Sequence, residues 1–292
     1  MDPRYVLFAI IIASLAIMQV NQRLASPVLA ILNRWLRVGI VSLGMAAVFQ
    51  DLAWSDRPYG ILALVFGLLW ILVETIYNWL AIKALSLSPL PLFPRFHLNS
   101  GGGEWPTNPR LLKVRDWLRS EGFKQVQALK AEIGPAHNLR VSVYQDAAAN
   151  IRLQITFLPQ ANGAVSLCAS YSSNTSAGHR YVTDNLYLPF GGFYPENWLI
   201  LRNPWCRSLP SLLTRHRERL ARSGEIVLPW TTEPLADLND QQQDLERINT
   251  ELGFLQPRAL REEHGKITHE GRYRVWKEIL TLGYLGRSAR YE

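Results

Sequence analysis

The most constraining feature of the sequence is a stretch of 24 residues, Tyr59–Ile82, in which Glu74 is the only charged side chain. At about 1.5 Å of rise per residue, an α-helix of this length crosses the roughly 30 Å hydrocarbon core of a bilayer. A single segment in that environment must satisfy its backbone hydrogen bonds internally, and a helix does so. The sequence therefore predicts a transmembrane helix near residues 59–83.

Two further apolar segments precede this helix. Residues 5–20 contain no charged side chain and predict a short first span near 5–22. A second span is predicted near 27–52, because serine followed by proline is a common helix start. Arginines in its first half leave two alternatives open. Either the whole segment spans with its arginines near one surface, or residues 27–37 lie along the surface and the remainder enters the bilayer.

The charges that flank these segments predict an orientation. Residues 21–37 contain three arginines and no acid, whereas the hairpin at 51–57 contains two acids and one base. Lys83 follows the third segment. The excess of basic residues in cytoplasmic loops therefore predicts a multi-pass protein of the plasma membrane or a bacterial inner membrane, with everything after Lys83 in the cytoplasm.

Glu74 requires a partner, because an ionised side chain within a span is costly. Arg37 and Glu74 lie at nearly equal distances, counted in residues, from the hairpin that joins the second and third segments. Antiparallel helices of equal rise would bring the two to the same depth, with Asn78 one turn further on. We therefore expect Arg37, Glu74 and Asn78 to form an intramembrane polar group. A proton or ion path is the alternative, but a second polar helix is absent.

The remaining chain is predicted to form a linker and a soluble domain. Residues 86–108 contain four prolines and a triple glycine, which predict a flexible linker. Residues 109–292 are predicted to be a cytoplasmic α+β domain. Alternating apolar residues between 139 and 188 indicate an antiparallel β-meander with one covered face, and helical spacing is found at 109–119, 209–222, 237–252 and 272–282. The fold class is thus a membrane-anchored α+β protein with about three N-terminal helices.

No nucleophile, nucleotide-binding or zinc-ligand motif is present in the sequence. The favoured hypothesis is a domain that binds a protein partner, a ligand or an anionic lipid surface, with no cofactor. The alternative is a membrane-bound enzyme whose site combines dispersed residues such as His179, Asp184 and His216. A tethered winged-helix protein is weaker, because the helix before the basic residues 272–277 is acidic, and nucleic acid is therefore not an expected partner.

A basic amphipathic helix is the strongest candidate binding element in the soluble part. Its arginines are Arg215, Arg217, Arg219 and Arg222. Such a cluster near a membrane suits anionic lipid or a partner, at about 1 kcal/mol per basic residue close to the surface. The alternative is an ordinary surface helix that buries its leucines. A weaker group, His264, His269 and Glu270, offers metal ligands but is also typical of solvated surface charge.

Overall fold

The computed structural model describes residues 3–101, 105–134, 137–159 and 163–289. The chain begins with three helices, α1 (Pro3–Leu24), α2 (Pro27–Asp51) and α3 (Tyr59–Leu87). All three are long and apolar enough to cross a membrane, which confirms the predicted helical N-terminal part. α2 is continuous through its two arginines, and α3 extends four residues beyond the predicted end.

α2 is the central helix of this unit. α1 packs along one side of it and α3 along another, but α1 and α3 make no extended contact with each other. Ser14 of α1 donates a hydrogen bond to Oδ1 of Asn33, with an O–O distance of 2.6 Å. Gly67 of α3 lies so close to Ser42 that an added Cβ would stand 2.7 Å from its Oγ. The arrangement leaves a groove between α1 and α3, and the surface of α2 forms its floor.

A two-residue turn joins α1 to α2. Ala25 adopts a φ of +47°, in the left-handed region that few non-glycine residues occupy, and this reverses the chain sharply. Oδ1 of Asn21 accepts a hydrogen bond from the backbone N–H of Ser26 at 2.6 Å, which fixes the reversal. The backbone carbonyls of Leu24 and Ala25 consequently face the remainder of the protein, where both are hydrogen-bonded.

A mixed eight-stranded sheet forms the centre of the second unit, called here the sheet domain. Its strands are β1 (Arg95–Leu98), β2 (Lys124–Gly134), β3 (His137–Gln145), β4 (Arg152–Pro159), β5 (Val165–Thr175), β6 (Arg180–Asp184), β7 (Trp198–Arg202) and β8 (Val227–Leu228). β1 to β6 follow one another as an antiparallel meander, of which β3 to β6 were predicted. β7 adds to β6 in parallel, and β8 pairs with the end of β5.

Helices cover both faces of this sheet. They are α4 (Pro109–Ser120), α5 (Leu209–Ser223) and α6 (Pro234–Glu251). Two further helices, α7 (Arg261–His264) and α8 (His269–Leu280), follow with a π-helical turn at Thr281–Leu285, and α8 packs against α3. α4 and α5 bury the face that includes Leu153, Ile155 and Tyr171. α6 covers the opposite face at Val141 and Val143. The expectation of a single covered face is therefore wrong, because apolar residues point to both sides of β3.

The segment predicted as a linker, residues 86–108, is packed rather than flexible where the structure describes it. β1 lies within it and pairs with β2. Both backbone groups of Phe96 are hydrogen-bonded by the side-chain amide of Asn239 from α6, at 2.9 and 3.1 Å, which closes this edge of the sheet. Trp105 is buried and donates to the hydroxyl of Tyr144 at 2.7 Å. Proline and glycine composition predicted an extended backbone correctly but not its pairing.

The end of α3 belongs to the core of the sheet domain. Ile82 is 2% exposed and packs with Phe254, Leu255 and Ile267. Ser86 accepts hydrogen bonds from two successive backbone N–H groups, those of Lys266 and Ile267, each at 2.9 Å. α3 is about 43 Å long, which exceeds a bilayer core by several turns. Its last turns therefore fix the sheet domain to the apolar helices without a flexible connection.

Candidate functional site

A cleft of about 890 Å³ lies between the three apolar helices and the sheet domain, and it is here called the junction cleft. Pockets of this size hold small-molecule ligands in other proteins. Its charged and amide side chains are Asn21, Gln22, Arg23, Asn33, Arg34, Arg37, Glu74, Asn78, Asn108, Arg110, Asn185 and Arg207. Apolar and aromatic side chains such as Met18, Trp70 and Tyr187 complete the lining.

Five arginines face one acid among the described residues that line the cleft. The acid, Glu74, is already neutralised, because Nη2 of Arg34 lies 2.6 Å from its Oε1. Nε of Arg34 donates to the same oxygen at 2.8 Å. Four arginines therefore remain in the cleft without a carboxylate partner in the described part of the chain, which makes the cleft strongly electropositive.

This pairing corrects one of the predicted contacts. The partner of Glu74 is Arg34, which lies three residues before the predicted Arg37 on the same face of α2. The prediction assumed that equal numbers of residues from the hairpin give equal depths in the two helices. The loop offsets one helix along the other, so the predicted partner was wrong by three residues, or about 4.5 Å along α2. Arg37 is exposed in the cleft and forms no ion pair with a described residue. Asn78 lines the cleft but does not bond to Glu74.

The π-helical turn after α8 fixes Glu74 from the other side. The hydroxyl of Tyr284 donates to Oε2 of Glu74, and the guanidinium of Arg34 lies 4.6 Å from the centroid of the tyrosine ring. Burial, together with the hydrogen bond to Glu74, raises the pKa of Tyr284 to about 12. Nε1 of Trp35 donates to the backbone carbonyl of Tyr284 at 2.9 Å. The sheet domain thus contributes directly to the geometry of the ion pair.

Two arginines of the sheet domain converge on the end of α1. Nη2 of Arg207 and Nη1 of Arg110 both donate to the backbone carbonyl of Leu24, at 3.0 and 3.4 Å. Burial and the neighbouring charge of Arg110 lower the pKa of Arg207. A guanidinium has five N–H donors, so one contact to a helix end leaves most of its donors for another acceptor. Two like charges held side by side favour an anion between them.

Three helices begin at this cleft. Pro27 of α2, Asn108 before α4, and Leu209 of α5 all belong to its lining. The first N–H groups of a helix have no intrahelical acceptor, and the helix dipole places partial positive charge at that end. The dipoles therefore add to the field of the arginines, and both favour the same sign of ligand charge.

The lining also contains two buried donors without an acceptor among the described residues, namely Nε1 of Trp70 and Nδ2 of Asn78. Asn78 itself is 7% exposed. A buried donor that lacks an acceptor costs roughly 1–3 kcal/mol, so such groups are rare unless something satisfies them. Both nitrogen atoms are shielded from solvent by the side chains around them.

The basic helix predicted as a binding surface lies away from the cleft. α5 starts at the cleft with Leu209, and Arg222 follows about 20 Å further along the helix axis. Arg219 is not free, because it donates to the carbonyls of Val182 and Leu199 at 2.7 and 2.8 Å. Arg222 bonds to Glu218 on its own helix. Arg215 and Arg217 are exposed. Of the predicted cluster, Arg219 is therefore engaged inside the sheet domain, and Arg222 is held by an exposed ion pair on the surface of α5.

The dispersed residues proposed for an enzyme do not share a site. Nδ1 of His179 lies 2.9 Å from Oε1 of Glu225, at the end of β5 that is remote from the cleft. Asp184 accepts from Nε of Arg202 at 3.1 Å. His216 is fully buried under α5. Each of these side chains belongs to a separate local network, so the geometry offers no common reaction centre for the three.

His216 forms the middle of a buried hydrogen-bond chain. Its Nε2 lies 3.0 Å from the hydroxyl of Ser173, which donates onward to the carbonyl of Asn150 at 2.8 Å. Its Nδ1 lies 3.0 Å from the hydroxyl of Thr183, which accepts from Arg219. These constraints place the imidazole proton on Nε2. Burial, with help from Arg219, lowers the pKa of His216 to about 3, so the ring is neutral and structural.

The candidate metal ligands are separated. His264 lies beside Glu263, His269 packs 5.5 Å from the ring of Trp79, and Glu270 pairs with Arg274 at 3.0 Å. Within the described ranges, no group of three histidine, cysteine or acidic side chains could hold a metal ion. Arg274 also lies over the ring of Phe193, and α8 packs against α3. The winged-helix hypothesis is weakened, because a face of α8 is already occupied.

Comparison of the chain with protein-family models, curated proteins and solved structures finds no match. The function of the protein must therefore be inferred from the junction cleft itself. Its arginines come from α1, α2, the start of α4 and the segment before α5, so they do not form a short sequence motif. The one signal in the sequence is the basic segment that contains Arg23, Arg34 and Arg37, which predicts an orientation and a partner for Glu74 but not an anion site.

Proposed function

We propose that the protein is a three-span integral membrane protein that binds an anionic ligand in its junction cleft. The observation that supports this proposal is the convergence of five arginines from four parts of the chain on a cleft whose single described acid is already paired with Arg34. Paired arginines bind phosphate or carboxylate groups through parallel N–H···O bonds. A phosphate-bearing ligand fits best, because its several oxygens match several guanidinium groups.

The energetics favour binding. Like charges held together at the edge of an apolar region repel one another, and an anion relieves that repulsion. Hydrogen bonds to charged groups contribute roughly 1.5–3 kcal/mol each. Contacts with Arg110 and Arg207 would therefore contribute roughly 3–6 kcal/mol, part of which the entropic cost of association offsets. Among the described lining residues, the one acid is Glu74, and its pairing with Arg34 leaves no free carboxylate for a cationic ligand.

Orientation is part of the proposal. Arg23 and Lys83 lie near the ends of α1 and α3 that adjoin the sheet domain, whereas the opposite end has the ion pair between Arg4 and Asp51. The basic ends support a cytoplasmic sheet domain in a plasma membrane or bacterial inner membrane. A C-terminal fusion to alkaline phosphatase should be inactive. Periplasmic activity of that fusion would overturn the orientation.

Binding can be tested with the full chain in a neutral detergent and a water-soluble probe, glycerol 3-phosphate. We expect saturable binding by calorimetry at low salt. Arg110→Gln combined with Arg207→Gln should weaken it about a hundredfold, since each arginine contributes about tenfold. The matched control is Arg215→Gln combined with Arg222→Gln, which removes the same charge from α5 and should leave the affinity unchanged.

Equal weakening by the two double variants would show that the probe responds only to overall charge, and would contradict a site in the cleft. Absence of any binding by the unmodified protein would contradict it as well. Unchanged thermal unfolding of both variants in the same detergent ensures that the comparison concerns the site and not the fold.

A further inference from the structure

The end of α8 and the π-helical turn after it form a short apolar segment beside the membrane helices. Residues 279–286, here called the apolar turn, contain no charged side chain. Leu285 in this turn is 55% exposed. Trp35 and Trp205, which bond to the backbone of the turn, are 51% and 42% exposed. This part of the sheet domain therefore presents apolar and aromatic surface that no described residue covers.

Contacts with α2 and α3 fix the position of the apolar turn along the helices. The hydroxyl of Tyr284 donates to Glu74 of α3, and the carbonyl of Tyr284 accepts from Nε1 of Trp35 at 2.9 Å. Nη1 of Arg34 donates to the carbonyl of Ile279 at 3.4 Å. The turn therefore lies at the level of Trp35 on α2 and of Glu74 on α3.

This level can be compared with the thickness of a bilayer. Arg4 pairs with Asp51 at the end of the helices remote from the sheet domain, which places one boundary of the hydrocarbon core there. Trp35 lies 16 residues before Asp51, and Glu74 lies 15 residues after the start of α3. Both are therefore about 22–24 Å from that boundary, in a core about 30 Å thick. The apolar turn lies about 6–8 Å inside the opposite boundary.

The backbone of the apolar turn is suited to surroundings without water. The last carbonyls of a helix have no intrahelical donor. Nε1 of Trp35 donates to the carbonyl of Tyr284, and Nε1 of Trp205 donates to the carbonyl of Leu285 at 3.3 Å. Gly286 allows this approach, because an added Cβ would lie 2.2 Å from Nε1 of Trp205. Hydrocarbon favours such internal bonds, since a carbonyl left without a donor is costly there.

The chain returns to the sheet domain after the turn. The hydroxyl of Ser288 and the backbone N–H of Ala289 donate to the two carboxylate oxygens of Glu278, at 2.5 and 2.6 Å. Glu278 is 1% exposed, and its Oε1 lies 3.9 Å from Nη1 of Arg202 in β7. The segment is also far shorter than the roughly 17 residues of a spanning helix. It therefore enters and leaves on the same side.

We infer that the apolar turn is immersed in the edge of the hydrocarbon core, in the leaflet next to the sheet domain, as a re-entrant segment that does not span. Leu285 contacts acyl chains there, and Trp35, Tyr284 and Trp205 form an aromatic belt near the interface. This inference rests on the three-span part of the proposed function and not on the anion site. It gives the protein a fourth contact with the bilayer.

The first experiment uses the unmodified full chain in vesicles whose phospholipid carries a photoactivatable diazirine in the upper half of one acyl chain. Trypsin releases residues 278–287, which contain the apolar turn, and residues 223–247, which contain the exposed Ile226 and Leu228, as separate peptides. Leu228 pairs with Asn174, about 30 Å along β5 from the cleft residue Val165. We expect lipid attached to residues 278–287 and to peptides from α3, but not to residues 223–247.

A second measurement reports depth. A nitroxide is attached at Leu285→Cys or, as the matched control, at Leu228→Cys, each combined with Cys206→Ser. The remaining thiol, Cys168, is buried. The rate of collision with a water-soluble nickel chelate should be about tenfold lower at position 285 than at position 228, because strongly hydrated molecules are excluded from hydrocarbon. Both variants replace exposed side chains and should unfold at the temperature of the unmodified protein.

The outcomes separate the inference from the proposed function. Lipid attached to α3 but not to residues 278–287 would overturn the inference alone, as would equal collision rates at positions 285 and 228. Protection of position 285 from both oxygen and the chelate, without lipid attachment, would indicate a second copy of the chain over the turn and would also overturn it. Absence of lipid on α3 would overturn the three-span proposal together with the inference. Binding of glycerol 3-phosphate tests the anion site independently.

Discussion

Two groups of arginines on this protein look alike in number but differ in their surroundings. On α5, four arginines lie within eight residues, and among them Arg219 and Arg222 are held by carbonyl groups or by Glu218. In the junction cleft, Arg23, Arg37, Arg110 and Arg207 are separated by up to 184 residues and lack a carboxylate partner in the described part of the chain. The cluster on α5, which is visible in the sequence, therefore consists of arginines that are bonded within the protein or exposed to solvent.

The difference shows what makes a basic cluster functional. A basic residue on a helix that packs on a sheet can satisfy buried carbonyl groups, as Arg219 does beside β6 and β7. Basic residues that meet across two units, without acids between them, retain unsatisfied charge. The electrostatic potential of a basic cluster depends on whether acidic groups neutralise it as much as on the number of arginines.

The largest expected effect concerns the α5 group. Arg219→Gln should reduce the free energy of unfolding by about 2–4 kcal/mol, because it leaves two buried carbonyl groups and Thr183 without their donor. Arg215→Gln, the exposed control, should change it by less than about 0.5 kcal/mol. Chemical denaturation of the full chain measures both. Similar small effects in the two variants would remove the distinction between structural and solvated arginines on this helix.

The next effect concerns the paired arginine of the cleft. A double-mutant cycle of Arg34→Ala with Glu74→Gln should give a coupling free energy of about 2 kcal/mol, because the two side chains share hydrogen bonds with limited exposure to solvent. The same cycle with Arg37→Ala should be additive within about 0.5 kcal/mol. Thermal unfolding in detergent provides the values. Coupling at Arg37 instead would restore the partner inferred from the sequence.

A third prediction concerns His216, the buried histidine of α5. The pKa of His216 is about 3 in the folded protein against 6.5 for the free side chain, so the unfolded chain binds the extra proton between these values. Stability should therefore fall as the pH falls from 6.5 towards 3, by up to about 1.4 kcal/mol per pH unit from this group. Above pH 6.5 the group contributes no slope.

His216→Gln is the control for this prediction, because glutamine cannot titrate. The slope of unfolding free energy against pH should be smaller for the variant than for the unmodified protein between pH 6.5 and 5, whatever the absolute stability of the variant. Identical slopes would show that the ring is accessible and protonated in the folded state, and would contradict the buried chain of Ser173, His216 and Thr183.

The sequence predicted the local elements well. Long uncharged stretches and period-two alternation have direct physical causes, so the three apolar helices, four of the strands and most of the helices could be found from them. β1, β7 and β8 were missed because strands of two to five residues leave too little alternation to detect. β2 was missed because its apolar alternation changes phase at Ala128 and Leu129. The pairing of residues 86–108 with the sheet was missed because the proline and glycine content of a segment indicates how stiff its backbone is but not which strand it packs against.

The candidate site could be predicted only in part. Glu74 and a basic partner on α2 followed from the cost of a charge in a span, although the register was wrong by three residues. Arg110 and Arg207 could not be associated with α1, because nothing in their local sequence indicates that both donate to the carbonyl of Leu24. Contacts between distant units depend on how the sheet domain docks onto the end of α3, and one sequence contains little information on that.

The most direct test of the proposed function is a structure of the full chain with glycerol 3-phosphate bound. A site in the junction cleft predicts a phosphate group at hydrogen-bond distance, about 2.7–2.9 Å, from the guanidinium groups of Arg110 and Arg207. A phosphate group on the exposed face of α5 around Arg215, with none in the junction cleft, would contradict it.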